Sequence, residues 1–276
     1  MIILLLIVAG LGLGSFVNAL IWRVYQQEKA KSKAARQKLS ILRGRSMCVH
    51  CKHQLATADL IPVLSWLWLR GKCRYCKKPI SWQYPVVEIA TALIFVGSYV
   101  FWPVTLDNTG TWLLFITWLV SSVGLIALLV YDLRWMLLPN RIVHPTFFVA
   151  LIGRLSYIVF FAEGKAHSFW LLVFSLVISS GVFWLMFQVS RGQWIGFGDV
   201  RLGLITGTLL ADPAKSAAMI FIASLLGSLV ALPGLITGKK TMSSKLPYGP
   251  FLIIATGIAL LFGSPIIDWY KSILGL

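Results

Sequence analysis

The stretch Trp194-Ile195-Gly196-Phe197-Gly198-Asp199-Val200-Arg201-Leu202 places a carboxylate between two strongly apolar runs. An ionisable group at a membrane boundary is costly to keep, so it marks a functional site by default. Gly196 and Gly198 remove side-chain bulk just before it and admit unusual φ/ψ values, which would let another segment lie close to the carboxylate. Taken alone, G-x-G-D also fits a glycine bend with Asp199 as the N-cap of the next helix. A second aspartate in a matching place, Asp132, weighs toward the functional reading.

Composition sets the frame for both aspartates. Of 276 residues, 58% are hydrophobic and only 12% charged, against about 25% charged in soluble domains. The expected fold class is an all-α polytopic membrane protein. Eight apolar runs are readable, at 2–21, 85–102, 112–131, 142–161, 169–189, 200–210, 217–236 and 251–269. The first lacks a basic leader and a cleavage site, so it reads as a membrane helix rather than a signal peptide. It carries Gly10, Gly12, Gly14, Ser15 and Asn18, small and polar residues that should face protein rather than lipid. The run after Asp199 is short and glycine-rich, as expected of a tilted, buried or broken helix. The expected organisation is a first helix at 1–21, a small loop domain at 22–84, and a membrane domain at 85–276.

The charge pattern orients the chain. The formal net charge is +16, and 14 of the 25 basic residues lie in 22–84. With that segment in the cytosol, 21 basic residues fall on the cytosolic side and three, Lys165, Lys215 and Lys271, on the other. Arg154 falls within a run. This is a strong positive-inside asymmetry. Charge confined to loops between apolar runs points to lipid headgroups and away from nucleic acid. Eight spans place both termini outside, with Asp132 and Asp199 at the cytosolic membrane edge.

Most of the nine carboxylates have a simple account. Asp107, Glu163, Asp212 and Asp268 fall in or near outer loops, and Glu28 and Asp59 sit among the basic residues of 22–84. Glu88 lies one turn into the second run, where a first-turn acid suits the helix dipole or a buried partner. Asp132 and Asp199 remain, on different helices at one depth. Two carboxylates sharing a site carry one proton between them, so one takes a proton from water while the other polarises a carbonyl. That is aspartic-protease chemistry. Intramembrane acids also build ion pathways, but those distribute acids across the bilayer.

The cysteines read Cys48-Val49-His50-Cys51 and Cys73-Arg74-Tyr75-Cys76. Two C-x2-C hooks at this separation are a structural zinc signal, and four thiolates complete a tetrahedral site, leaving His50 and His53 as bystanders. The piece 60–69 between the hooks is apolar but too short to span, so it packs the loop's core or lies in the membrane interface.

Together these motifs make the chain resemble the type IV prepilin peptidases, bifunctional leader peptidases and N-methyltransferases. Gly14-Ser15-Phe16-Val17-Asn18 resembles their first-helix motif. The paired hooks follow, then Gly71-Lys72-Cys73 and the segment from Ile80 to Glu88. Tyr131-Asp132 with Leu138-Pro139 resembles the first catalytic motif, Gly196 to Asp199 the second, and Tyr248-Gly249-Pro250-Phe251 the last-helix motif. Asn140 stands where an acid is expected, Arg201 where lysine is usual, and Lys52 and Lys77 where glycine is common. The resemblance implies catalytic aspartates at Asp132 and Asp199, supported by Gly196, Gly198 and Arg201, in the bacterial inner membrane. It implies prepilin or pseudopilin substrates of type IV pilus or type II secretion systems. They would be cleaved after a glycine at the cytosolic face, and the new amine methylated from S-adenosylmethionine. Gly71 and Glu88 are the candidate methyl-transfer or substrate residues. An ion-coupled transporter with a zinc-stabilised loop and a non-enzymatic assembly scaffold are the competing readings.

Overall fold

An apolar run inside a bilayer must satisfy its own backbone N–H and C=O groups, and a helix does so within one segment. The computed structural model describes residues 1–30, 32, 39–40, 44–237 and 246–275, and follows this rule. Among those residues there is no sheet, and seven helices are long and apolar enough to cross a membrane. The chain divides into two units, Met1–Val100 and Phe101–Leu276.

The first unit pairs α1 (Ile2–Lys29) with α3 (Gln83–Val100), joined by a loop that holds the short helix α2 (Leu64–Trp68). Glycines set the packing distance. A Cβ on Gly10 would lie 2.5 Å from Ala92 Cα, and one on Gly14 2.6 Å from Glu88 Cα, so the two backbones touch. Asn18 is buried and faces protein: its amide donates to Gly14 O and Tyr84 O and accepts from Gln83. From its sequence the basic polar run Gln26 to Arg45 is expected to be mobile or on the membrane surface, but its start is instead the last turn of α1. Arg23 and Gln27 are buried there and donate to the carbonyls of Ser40, Gly44 and Leu39, folding the loop back onto the helix. Residues 31, 33–38 and 41–43 of that run lie outside the described residues.

The second unit contains α4 (Thr109–Trp135), α5 (Asn140–Phe160), α6 (Lys165–Ser190), α7 (Phe197–Leu210), α8 (Pro213–Ile236) and α9 (Gly249–Leu274). The helices start a few residues ahead of the apolar runs, and at α4 and α8 a polar side chain, Asn108 or Asp212, serves the first amides. Asn108, for example, accepts the Thr111 N–H at 2.9 Å. α4 and α5 interlock through reciprocal glycine–threonine contacts, Gly124 on Thr146 and Gly153 on Thr117. The sixth run is a helix of 14 residues, about 21 Å long and short of a bilayer's ~30 Å core. It packs against a π-helical turn in α6, Val177–Gly181. There Gly203 and Gly207 meet Ser179, and Ser175, Ser179 and Ser180 donate to the Gly207, Gly203 and Val200 carbonyls.

Candidate active site

Asp132 sits in the last turn of α4 and is 6% exposed. Its own carbonyl accepts the N–H of Met136, the left-handed residue that ends the helix. The chain then reverses through Leu138 and Pro139, and Pro139 caps α5. Asp199 is the third residue of α7, with Gly196 as the N-cap. The N-cap reading of Asp199 is therefore replaced by a first-turn position, from which its carboxylate reaches back to the Gly196 amide. This is half of a capping box. The expected unusual backbone at the two glycines is not found: Gly196 is extended at φ −79°, and Gly198 has no positive φ. Space is what Gly198 supplies. A Cβ there would stand 3.1 Å from Leu138 Cδ1, so the reversal after Asp132 packs directly on the motif before Asp199.

Asp132 is held in the same manner. The Gly249 amide, at the first residue of α9, hydrogen-bonds its carboxylate, and a Cβ at Gly249 would lie 2.6 Å from Asp132 Oδ2. Each aspartate thus accepts a glycine amide at a helix N-terminus, where the backbone favours negative charge. The two carboxylates lie close enough to interact electrostatically. Arg201 donates to Asn140 Oδ1 and stacks over the Phe197 ring, tying the first turn of α7 to the first turn of α5.

Three contributors escaped the sequence reading: Gly249, Asn140 and Tyr248. Burial pushes the Tyr248 hydroxyl above its usual range, opposed by a hydrogen bond with Ser224 and reinforced by the charge of Asp199, so Tyr248 stands within the field of the pair. All three had a signal available. Gly249 and Tyr248 belong to one motif, and Asn140 and Arg201 are paired departures from the expected residues.

The first unit carries a separate site. The Sγ atoms of Cys48, Cys51, Cys73 and Cys76 lie within 4.8 Å of one another, with Cys48 and Cys76 3.9 Å apart. A tetrahedral zinc with bonds of about 2.3 Å requires sulfurs about 3.8 Å apart, so the set fits that ion. The group includes neither histidine: His50 gives its backbone amide to Cys48 Sγ, and the His53 ring stacks on Tyr75. The two hooks are the same turn built twice. Lys52 N–H bonds Cys48 O and Lys77 N–H bonds Cys73 O, each lysine at φ 59°. Burial raises the Cys48 thiol, yet the Cys51 and His50 amides and the neighbouring thiols bring it down to about 7. From residue 46 to 82 the buried residues are Cys48, Gly71 and Cys73, so this loop has no apolar core of its own. Asp59, which sits among the basic residues of this segment, is bound by Arg74 at 2.7 Å.

Gly71 and Glu88 have local roles in this unit. Gly71 adopts φ +67°, and a Cβ there would press to 2.8 Å on the Trp66 indole, so the turn and the ring both need glycine. Glu88 is buried and accepts the Val63 N–H at 2.7 Å, fixing the start of α2 to α3.

Comparison with known proteins matches residues 8–102 to the bacterial peptidase A24 N-terminal domain and residues 119–232 to the type IV leader peptidase family. The chain is similar to the prepilin leader peptidase/N-methyltransferase of Stutzerimonas stutzeri, 31% identical over 97% of this chain and 93% of that protein. The protein of the same name from Pseudomonas aeruginosa is 31% identical over 99% and 94%, and that from Bacillus subtilis 30% over 86% and 90%. No solved structure matches the chain.

Proposed function

The chain belongs to the type IV leader peptidase family, and from that premise we propose that it is a membrane aspartic endopeptidase that removes the leader of prepilin-like proteins and methylates the new N-terminus. The observation that carries the reading is the carboxylate pair, Asp132 and Asp199, each oriented by a glycine amide and each within reach of the other's charge. In this mechanism one carboxylate takes a proton from water while the other, protonated, polarises the scissile carbonyl. Hydroxide adds to the carbonyl carbon. The C–N bond then breaks, and the departing amine receives a proton from the pair. Two close carboxylates suit this chemistry better than an ion pathway, which needs acids spread through the bilayer.

The substrate's hydrophobic segment accounts for the apolar surroundings. Leu133, Met136, Leu137, Trp194 and Phe197 flank the aspartates in sequence and remain exposed. We place cleavage after a glycine on the cytosolic side, with both termini outside. The basic asymmetry favours that orientation, although Lys239, Lys240 and Lys245 in that count lie outside the described residues. The domains proposed are 1–21, 22–84 and 85–276, the last holding Asp132, Asp199 and their supports Gly196, Gly198 and Arg201.

Cys48, Cys51, Cys73 and Cys76 would hold one zinc, which supplies fold rather than chemistry. Methyl transfer from a donor such as S-adenosylmethionine is assigned to the loop they organise. Gly71 shapes its turn and Glu88 anchors its helix. Mass spectrometry of a co-expressed prepilin tests the whole reading: a product shortened to the mature N-terminus and one methyl group heavier is expected. An intact prepilin in the presence of folded enzyme would refute it.

A further inference from the structure

Arg154 lies about two-thirds of the way along α5, inside an apolar run where an unused cation is costly. The answer to its presence is at the far end of α7. A helix end buried in protein leaves its last carbonyls without water, and α7 ends at Thr208, Leu209 and Leu210, all buried. Three of its last four carbonyls are engaged all the same. Gly207 O takes the Ala211 N–H and the Ser175 hydroxyl, at 2.9 and 2.7 Å. Thr208 O and Leu209 O take Arg154 Nε and Nη2, at 3.4 and 2.6 Å. A guanidinium serves two carbonyls at once, and a cation suits a helix C-terminus.

The same side chain is referenced to Asp132. Its neighbour Gly153 packs on Thr117 of α4, the helix that carries Asp132. Asp199 stands ten residues before Leu209 on α7, about 15 Å along one rod. α7 is therefore tied to α5 at both ends, by Arg201 on Asn140 near Asp199 and by Arg154 at the opposite terminus.

We propose that Arg154 is a positioning residue for leader cleavage: by holding the carbonyl end of α7 against α5, it sets the height of Asp199 relative to Asp132. The inference rests on the reading of the two aspartates as the cleavage pair. Slippage of α7 by one residue moves Asp199 by about 1.5 Å, and a 1 Å error in a reacting group costs about 100-fold in rate.

The test uses the purified full-length protein in bilayer discs, with kcat and KM measured on a prepilin and normalised to folded protein by thermal melting. Arg154→Met is expected to lower kcat about 100-fold with KM within about twofold, since the substrate surface is untouched. Arg154→Lys keeps the charge but reaches one carbonyl at a time, and about a 10-fold loss in kcat is expected. If Arg154→Met does not accumulate, the lysine variant decides. An unchanged kcat in the folded variants overturns the proposal. So does a loss of activity that vanishes on normalisation to folded protein. Asp199→Asn is measured beside them: its loss of cleavage with Arg154 variants at full kcat overturns this inference alone, whereas its retention of cleavage removes the reading beneath it.

Discussion

The two units stabilise their chain reversals by different means. Among the described residues, the first unit places Lys52, Val63, Arg70 and Lys77 at positive φ, all within its loop. The second places Met136, Arg191 and Ala211 there, each ending a helix. A left-handed residue after a helix is ordinary, because it closes the last turn by donating to a free carbonyl. In the first unit Arg70 follows α2 and Lys52 and Lys77 close the two hooks in the same way, but four such residues fall in one loop without an apolar core, and each costs about 1 kcal/mol or more. A structural zinc contributes on the order of 10 kcal/mol to folding, about twice that strain. The comparison teaches that the loop of the first unit depends on its thiols and the second unit on helix contacts, so they should fail separately.

The sharpest break is expected at the aspartates. Asp132→Asn and Asp199→Asn should each lower cleavage by about 1000-fold or more, with the protein still folded in the membrane. Near-normal leader release from either would remove that residue from the mechanism. Next in size, Cys48→Ser or Cys73→Ser should abolish metal retention, read by elemental analysis as a fall from about one zinc per chain. Methylation should vanish with it, while leader cleavage persists at a reduced level. Equal loss of both activities would erase the distinction between the units.

Gly249→Ala probes the second unit more finely. Its methyl group would stand 2.6 Å from Asp132 Oδ2, so the carboxylate must move. A 10- to 100-fold drop in cleavage is expected, with methylation of an already cleaved pilin unaffected. The smallest effect is a gain. Lys52→Gly and Lys77→Gly relieve φ 59° at the two hooks and should each stabilise the loop by about 1 kcal/mol. Slower hydrogen exchange across residues 47–54 and 72–79 would report it, and unchanged exchange would mean the turns are not strained.

Much of this was legible beforehand because membrane burial leaves few options. Apolar runs became helices, and the shortness of the run after Asp199 reappears as the 14-residue α7. The cysteine spacing led to the thiol cluster because both hooks need the same local turn. Other features depend on contacts between distant segments. Gly196 and Gly198 suggested special dihedrals, yet the structure uses Gly198 for the approach of Leu138, sixty residues away in the chain. Asn140 and Arg201 each looked like an isolated departure, and only the fold shows that they bond each other. Arg154 had no readable purpose until the end of α7 was placed against it. Apolar periodicity finds a helix; it does not say what receives the carbonyls when that helix stops short.

The most direct test of separable units gives Asp199→Asn and Gly71→Leu enzymes two substrates, an intact prepilin and a pilin already cleaved, and reads both by mass spectrometry. The account predicts that Asp199→Asn leaves the prepilin intact yet methylates the cleaved pilin. Gly71→Leu, which forces a side chain into the Trp66 indole at a φ of +67°, should cleave the prepilin and methylate neither substrate. Parallel loss of both steps in either enzyme would contradict it.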